Sequence, residues 1–477
     1  MIPITLITIF FLLAISFDIT PYLRGPSPYP PEWRWAYLFV NTLDRIWLPV
    51  LVIMGIIALF IWTEKKKVTH TKTMLILLVS LSVLFQLSVL FYSRSGIPVL
   101  VNRIINPELN GYFTAALSIK SVPYFLAHYN DLVLTFVYHA KAHPPGAILF
   151  FYYLKELLGN WPLLGEIAAQ LSTSHSDVGA VWNVLHPAEK ATALFAGIFV
   201  PFLSALSLIP LYYAAVLLYG RTVALRSTFL YLLIPSLIFF IPINDAFLQL
   251  FSVTALFFMS YGLEKNKRYP FFLSGATLFL GVFFNLSLLP LLIFFFLFFL
   301  LRMWQKKKFW SQEFFVKGSI FSLGFFLPPI LLLIFAQFNF IQVIQTIMKH
   351  VPDVHTRSYT LWIFYNLYDF LIFSGIPVSL VFLSAIKYEV KKIWGKTWKK
   401  IDPVLLPFLL MILILNFSGS VRAETGRLWS VYIPFMVLLA ASYLTNKMKF
   451  SKKLFIFFLL LQGLQILVMQ EFWVMLW

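Results

Sequence analysis

The sequence predicts an all-α fold: a polytopic transmembrane helical bundle of about 13 spans, with interfacial helices in its long loops, forming one integral membrane domain over residues 1–477. Three observations predict it. Hydrophobic residues make up 60% of the chain and charged residues only 12%, with a mean hydropathy of +0.84, too little polar surface for a soluble chain to cover itself. The apolar residues gather into runs long enough to enter a bilayer. The basic residues are confined to alternate connections between those runs.

In chain order the predicted spans are 2–17, 47–62, 74–92, 191–218, 227–240, 246–261, 271–284, 286–301, 318–335, 361–386, 404–417, 428–444 and 454–469. The first lacks a basic leader and a small-residue cleavage site, so it reads as an uncleaved span and not as a removable signal. Residues 146–158 are apolar, yet 13 residues fall short of the roughly 20 that a crossing needs. They are expected to form a re-entrant or interfacial helix. Several spans of 14–16 residues suggest thin, tilted or broken helices around a polar cavity. Residues 18–46 and 94–190 form two large loops on one face, framing the presumed site, and 191–477 supply the rest of the bundle. Within 94–190 the stretches 112–119, 122–128 and 131–138 mix apolar and polar residues at helical spacing, as helices lying in the interface do.

Charge sets the expected orientation. Even-numbered connections hold 24 of the 37 basic residues and five acids, a net +19, whereas the remaining 13 basic and 14 acidic residues net −1. By the positive-inside rule the N-terminus is cytoplasmic and the C-terminus extracytoplasmic, as expected for a multi-pass protein of a plasma or inner membrane. The overall charge of +18 is thus a topology signal and gives no reason to expect a nucleic-acid partner. Zero cysteines exclude a disulfide framework, a thiol nucleophile, iron-sulfur clusters and cysteine-ligated zinc. The lysine-rich connections are short, and no Walker A or Rossmann glycine pattern appears, which argues against nucleotide-driven chemistry on that side.

Seven of the eight histidines and the other candidate site residues except Asp369 fall on the opposite face. Asp18 follows the first span, where a carboxylate must sit at the water boundary; it suits a general base or an acceptor-orienting group, and equally a helix-end cap. Trp33, Trp35 and Tyr37 beyond it suit an interfacial anchor or a sugar-stacking surface. His139 and His143 stand four apart with Lys141 between them. Such a pair is half a metal site, a solvated helix end, or, with the lysine, a phosphate-binding cluster. No third ligand completes a divalent-metal set, so no cofactor is firmly implied. Arg422, Glu424 and Arg427 lie at the end of a span, where unpaired arginine is expensive. Two guanidiniums around one carboxylate leave a positive charge for a phosphate or pyrophosphate, or else snorkel to the boundary. His355 and Arg357 can supplement that cluster, and Asp369, inside a span, is a functional suspect by default.

Asp18 after the first span, the His143-Pro-Pro-Gly146 turn entering an apolar helix, Asn244-Asp245 ahead of a span, and the N-in, C-out polarity together resemble the GT-C superfamily of membrane glycosyltransferases. Protein O-mannosyltransferases and the lipid A aminoarabinose transferase belong to it. The resemblance implies transfer of a sugar from a polyprenyl-phosphate donor to a protein, lipid or polysaccharide acceptor outside the cytoplasm, with inversion. It further implies that Asp18 deprotonates or orients the acceptor hydroxyl while Arg422, Arg427 and His143 or Lys141 hold the lipid phosphate; the residue reading adds Arg357 and Glu424 as phosphate-binding candidates and His139, Asp245, His355 and Asp369 as supporting ones. Where the family carries an acidic pair, this chain has Asp18 followed by Ile19. An O-antigen ligase or polymerase using a lipid pyrophosphate, and a transporter or lipid flippase, are the alternatives. The early position of the large loop favours GT-C over the ligase, and the lack of internal repeats speaks against transport.

Because the chain has no native cysteine, topology is directly readable from single introduced thiols. Ser118→Cys should react with a membrane-impermeant maleimide in intact cells, and Ser311→Cys only after permeabilisation; the reverse pattern would invert the orientation.

Overall fold

The computed structural model describes residues 1–39, 41–65, 71–161, 163–164, 166–167, 179–350, 356–395 and 401–474. It is an all-α protein, with strand limited among the described residues to an antiparallel contact in which Ala36 pairs with Val474 and Tyr37 with Trp473. That contact ties the first large loop to the end of the chain. Thr42 adds to it by donating its backbone N–H and its hydroxyl to the Glu471 carboxylate at 3.3 and 2.6 Å.

Among the described residues eight helices are long and apolar enough to cross a membrane: Leu43–Lys65, Thr71–Tyr92, Pro187–Tyr219, Asn244–Lys265, Leu286–Gln305, Gln312–Ala336, Thr425–Asn446 and Lys452–Phe472. The expected 13 are therefore not all met. Three of the remaining runs are short apolar helices, Ile2–Ser16, Tyr269–Phe284 and Leu405–Ser418. The run predicted over 227–240 is split, because Arg221–Leu232 ends well before the short turn Ser236–Phe239 that follows Pro235. The run predicted over 361–386 is a pair of helices, Tyr359–Phe373 and Ile376–Lys392, bent by 117°.

That bend has a definite cause. Gly375 adopts φ +95°, a conformation that glycine takes freely, and a Cβ there would overlap the Gln462 amide at 1.6 Å. The backbone groups freed by the break are met by glutamines from Lys452–Phe472. Gln465 accepts from the Ile376 N–H at 2.6 Å and donates to the Ile372 carbonyl at 2.9 Å, and Gln462 donates to the Ser374 carbonyl at 3.3 Å. In hydrocarbon every such group needs a partner, so the break and the two glutamines form one unit.

Helix packing elsewhere relies on close backbone approach. A Cβ on Gly324 would lie 2.1 Å from the Phe272 carbonyl, and one on Gly275 would lie 2.2 Å from that of Phe321. Gln312–Ala336 thereby seats against Tyr269–Phe284 along a small-residue contact of the kind membrane helices use. Its other faces stay apolar and uncovered, with Phe335 81% exposed, as suits a helix facing lipid.

Polar contacts between distant loops sort into two groups. At one end Tyr219 donates to Asp402, Gln305 to the Ile401 carbonyl, Lys317 to Asn266, and Lys452 to the Ile61 carbonyl. At the other end Arg24, Glu32, Trp35, Arg103, Asp245, Arg357, Asp369, Glu424 and Arg427 bind one another or the loops between them. The first end carries the lysine-rich connections. The second carries the candidate site.

Gly375→Ala and Gly324→Ala should each destabilise the protein by roughly 1–3 kcal/mol, since the neighbours that a new methyl meets are a buried amide and a backbone carbonyl that have no room to move. Thermal unfolding in detergent checks this, and an unchanged melting temperature for both would show that the packing is looser than described.

Candidate functional site

The site is built where four loops meet, and Arg427 stands at the meeting point. Its guanidinium lies 2.8 Å from Glu424 and 3.6 Å from Asp245, and all three side chains are buried. A buried guanidinium is tolerable only when paired, and here one cation is held by two carboxylates from separate parts of the chain. Asp245 in turn accepts from the Asn285 amide at 3.0 Å. Glu424 also faces Arg357 at 4.0 Å, which links the two arginines through one acid.

The turn that presents Glu424 is strained. Ala423 and Glu424 both have positive φ, +95° and +59°, outside the region that side chains prefer. Such strain persists only where surrounding bonds fix it. Asn366 supplies them: its amide donates to the Val421 carbonyl at 2.8 Å and its oxygen accepts from the Ala423 N–H at 3.3 Å. Asp369, one helical turn further on, accepts from the Gly426 N–H at 2.7 Å, from Thr425 at 3.3 Å and from the Trp35 indole at 3.0 Å. Asp369 is thus engaged in holding the Glu424–Arg427 turn.

Arg357 and Arg422 clasp each other through the backbone, each donating to the other's carbonyl at 2.6 and 2.7 Å. Arg357 also reaches the Pro31 carbonyl at 3.2 Å. Next to Pro31 is Glu32, a buried carboxylate that accepts from the Ser358 N–H at 2.9 Å and the Trp362 indole at 2.6 Å. Three guanidiniums therefore share the region with four carboxylates, Glu32, Asp245, Asp369 and Glu424. This revises the charge expected from the sequence, which counted two arginines against one acid. Among the described residues Arg422 makes no ion pair; it lies 5.5 Å over the Tyr359 ring, and its buried Nε has no hydrogen-bond partner. The cation left for a ligand is Arg422, not Arg427.

The His139–Gly146 turn also lies within electrostatic reach of Arg427. The His143 ring is 5.7 Å from the Tyr112 ring, and its carbonyl accepts from Tyr129 at 2.7 Å. Its Nδ1 is buried and has no hydrogen-bond partner among the described residues. Burial pushes the imidazole pKa down to about 4, with Asp245 partly opposing and the Arg427 charge adding to the fall. His139 is lowered to about 3, by burial first, then by the Arg427 and His143 charges. Both rings are neutral at pH 7. Lys141 is half-buried and makes no ion pair among the described residues.

Just past His143, Gly146 begins the helix Gly146–Gly159, the segment expected to be re-entrant or interfacial. A Cβ on Gly146 would meet the Phe283 carbonyl at 2.5 Å, so the helix starts hard against the end of Tyr269–Phe284. Between the two helices runs an open apolar groove of about 790 Å³, walled by Leu149, Phe150, Tyr153, Leu157, Leu280 and Phe284. It begins three residues from the His143 imidazole.

Asp18 stands apart from Arg427. Its carboxylate is chelated by Arg24, whose Nε donates at 2.9 Å and Nη2 at 2.8 Å, and its side chain remains 26% exposed. Its φ of +42° turns the chain sharply out of the first helix. Arg24 connects it to the centre, since Nη1 donates to the Trp35 carbonyl at 2.6 Å and Trp35 donates to Asp369. Trp35 itself is 3% exposed and wedged against Phe240 and Phe373, which makes it a core residue and removes it as a sugar-stacking surface.

The structure thus gathers Arg357, Arg422, Glu424, Arg427, Asp245, His139 and His143 into one region, and sets Asp18 at its side. His355 lies outside the described residues. Among the described residues no group of three His, Asp or Glu side chains is placed to hold a metal ion. Sequence reading missed Glu32, Arg24 and Asn285. Glu32 offered a signal, as a lone acid in the Pro-Pro-Glu-Trp stretch; Asn285 offered none. The fold defines an integral membrane protein with a charged cluster at one loop-rich end. Beyond that class, no family model, no curated protein and no solved structure matches the chain.

Two outcomes follow. Arg427→Leu should destabilise the protein by roughly 3–5 kcal/mol, because it strands two buried carboxylates, whereas Arg422→Leu should leave thermal stability nearly unchanged. Equal losses in both would refute the assignment of Arg422 as the uncommitted cation. The histidines also set a pH dependence. Their folded pKa values lie below the ordinary 6.5, so the unfolded chain binds more protons and stability falls as pH drops from about 6.5 toward 4. A melting temperature measured across that range should fall less in His139→Asn than in the parent protein.

Proposed function

We propose that the protein is a membrane glycosyltransferase that takes a sugar from a polyprenyl-phosphate donor and transfers it to an acceptor on the extracytoplasmic face. The observation that carries this reading is the junction of a polar cluster with an apolar groove. A ligand with an anionic head and a long hydrocarbon tail suits both: the tail along the groove from Gly146, the head in the cluster, with His143 and Lys141 just ahead of the groove helix in the chain and Arg422 as the uncommitted cation. An uncharged substrate would leave Arg422 unused, and a soluble phosphate would leave the groove unused.

The topology belongs to the same reading. In this reading there are thirteen crossings, five of them short or broken, with the lysine-rich connections in the cytoplasm and the cluster outside. The separation of contacts into two ends supports it, since the bonds Tyr219–Asp402, Gln305–Ile401, Lys317–Asn266, Arg357–Pro31, Ser358–Glu32 and Arg427–Asp245 each join connections of the same parity. An extracytoplasmic site without nucleotide-binding loops needs a donor already activated and delivered through the bilayer, and a lipid-phosphate sugar is such a donor.

In this mechanism the guanidinium of Arg422 stabilises the charge that grows on the phosphate as the glycosidic C–O bond breaks. The leaving group departs as polyprenyl phosphate. Arg427, already compensated by two acids, positions the surrounding turns. Asp18 is clamped by Arg24 with one donor on each oxygen, which leaves both oxygens able to accept a further hydrogen bond. It orients the acceptor hydroxyl and takes its proton as the new bond forms on the opposite face of the sugar, giving inversion. A flippase finds less support, since the broken span that such a protein would use is filled by Gln462 and Gln465.

Purified protein incubated with radiolabelled polyprenyl-phosphate sugars should bind donor and release polyprenyl phosphate. Arg422→Ala should cut donor affinity by roughly tenfold or more, the worth of one charge-assisted contact to phosphate. Asp18→Asn should bind donor normally and fail to transfer. No binding of any lipid monophosphate would overturn the proposal and favour a pyrophosphate-linked substrate or transport.

A further inference from the structure

Two asparagines beside the cluster have no role in the account above. Asn110 is wholly buried and Asn244 is 3% exposed, and in each case both the amide nitrogen and the amide oxygen are buried without a hydrogen-bond partner among the described residues. Buried amides are nearly always paired, and leaving one unpaired costs about 1–3 kcal/mol per group. Both are close in sequence to residues of the charged centre, and in both the whole amide is open to a ligand's hydrogen bonds.

Their placement is fixed by their neighbours. Asn110 precedes Gly111, whose φ of +68° and close contact, with a Cβ position 3.3 Å from the Ala140 N–H and 2.7 Å from Val137, admit only glycine. The Asn110–Tyr112 turn is therefore pressed against the helix that carries His139, and the His139 ring is bonded to the backbone of nearby Glu108. Tyr112 then meets His143. Asn244 comes from another part of the chain and directly precedes Asp245, the partner of Arg427 and Asn285. The two amides thus come from two separate segments whose neighbouring residues, Tyr112 and Asp245, contact His143 and Arg427 respectively.

Their chemistry differs from that of the cations. A carboxamide offers two donors and an acceptor, and its oxygen can be satisfied only by a ligand that donates. A phosphate oxygen accepts and cannot do so. A hydroxyl both donates and accepts. We propose that Asn110 and Asn244 bind the hydroxyl groups of the glycosyl unit, next to the anionic head, and so set which sugar the site takes. This rests on the lipid-phosphate reading given above and assigns the part of the ligand that the cations do not reach.

The test compares two probes, bare undecaprenyl phosphate and a panel of undecaprenyl-phosphate hexoses and pentoses, on the full chain in nanodiscs. The wild-type protein should bind one sugar-bearing lipid more tightly than the bare phosphate. Asn244→Leu and Asn110→Leu should each reduce that preference by roughly tenfold or more, the effect of losing one or two hydrogen bonds, while the affinity for bare undecaprenyl phosphate changes less than about twofold. The same variants should have a melting temperature no lower than the wild type without ligand, because an unpaired amide has been replaced by an apolar group of similar size. A variant that keeps the sugar preference, or that loses stability without ligand, overturns the inference and leaves the amides as structural or water-bound groups. Failure of the wild-type protein to bind either probe refutes the lipid-phosphate reading itself, and the sugar assignment with it.

Discussion

Arg427 holds this structure together at its functional end. A guanidinium buried beside apolar helices is stable only with its charge answered, and here Glu424 and Asp245 answer it at its two terminal nitrogens. The consequence is architectural. Asp245 opens one span and Arg427 another, so the ion pair fixes two helix ends, while Asn285 joins a third through Asp245. The strained turn at Ala423 and Glu424 and the Asn366 and Asp369 bonds beneath it keep Glu424 in reach. Removing Arg427 would leave two charges where no water can reach them.

The same compensation separates structural from available charge. Arg427 has two carboxylates, Arg357 has Glu424 and backbone carbonyls, and Arg422 has one carbonyl and an aromatic face. Anion binding is assigned to the guanidinium that folding has least committed. The neutral histidines fit this picture, because a second and third cation beside Arg427 would raise the cost of assembling the cluster; burial first, and then the Arg427 charge, holds their pKa values down.

Much of the bundle was legible in the sequence, because apolar runs and lysine placement are local signals. Residues 47–62 and 454–469 are helices within long spans, and the apolar segment after His143 is a short helix as expected. The breaks were not legible. Whether 361–386 runs straight or bends at Gly375 depends on Gln462 and Gln465, far along the chain, and no local pattern reports them. The site divides in the same way. Arg422, Glu424 and Arg427 stood out because arginine is costly beside hydrocarbon, but their pairing with Asp245 was invisible in a one-dimensional reading. Trp35 looked like a boundary residue and is instead buried against Phe240 and Phe373, since the loop that carries it folds back into the helix ends.

The central claim is that a lipid phosphate sits where the charged cluster meets the apolar groove. The most direct measurement is a cryo-electron microscopy structure of the full chain in nanodiscs loaded with undecaprenyl phosphate. The account predicts phosphate density within hydrogen-bonding distance of Arg422 and His143, with the isoprenoid chain running from Gly146 between the two groove helices. Phosphate density at the lysine-rich end, or an apolar groove filled only by bulk lipid while the phosphate lies elsewhere, would contradict it.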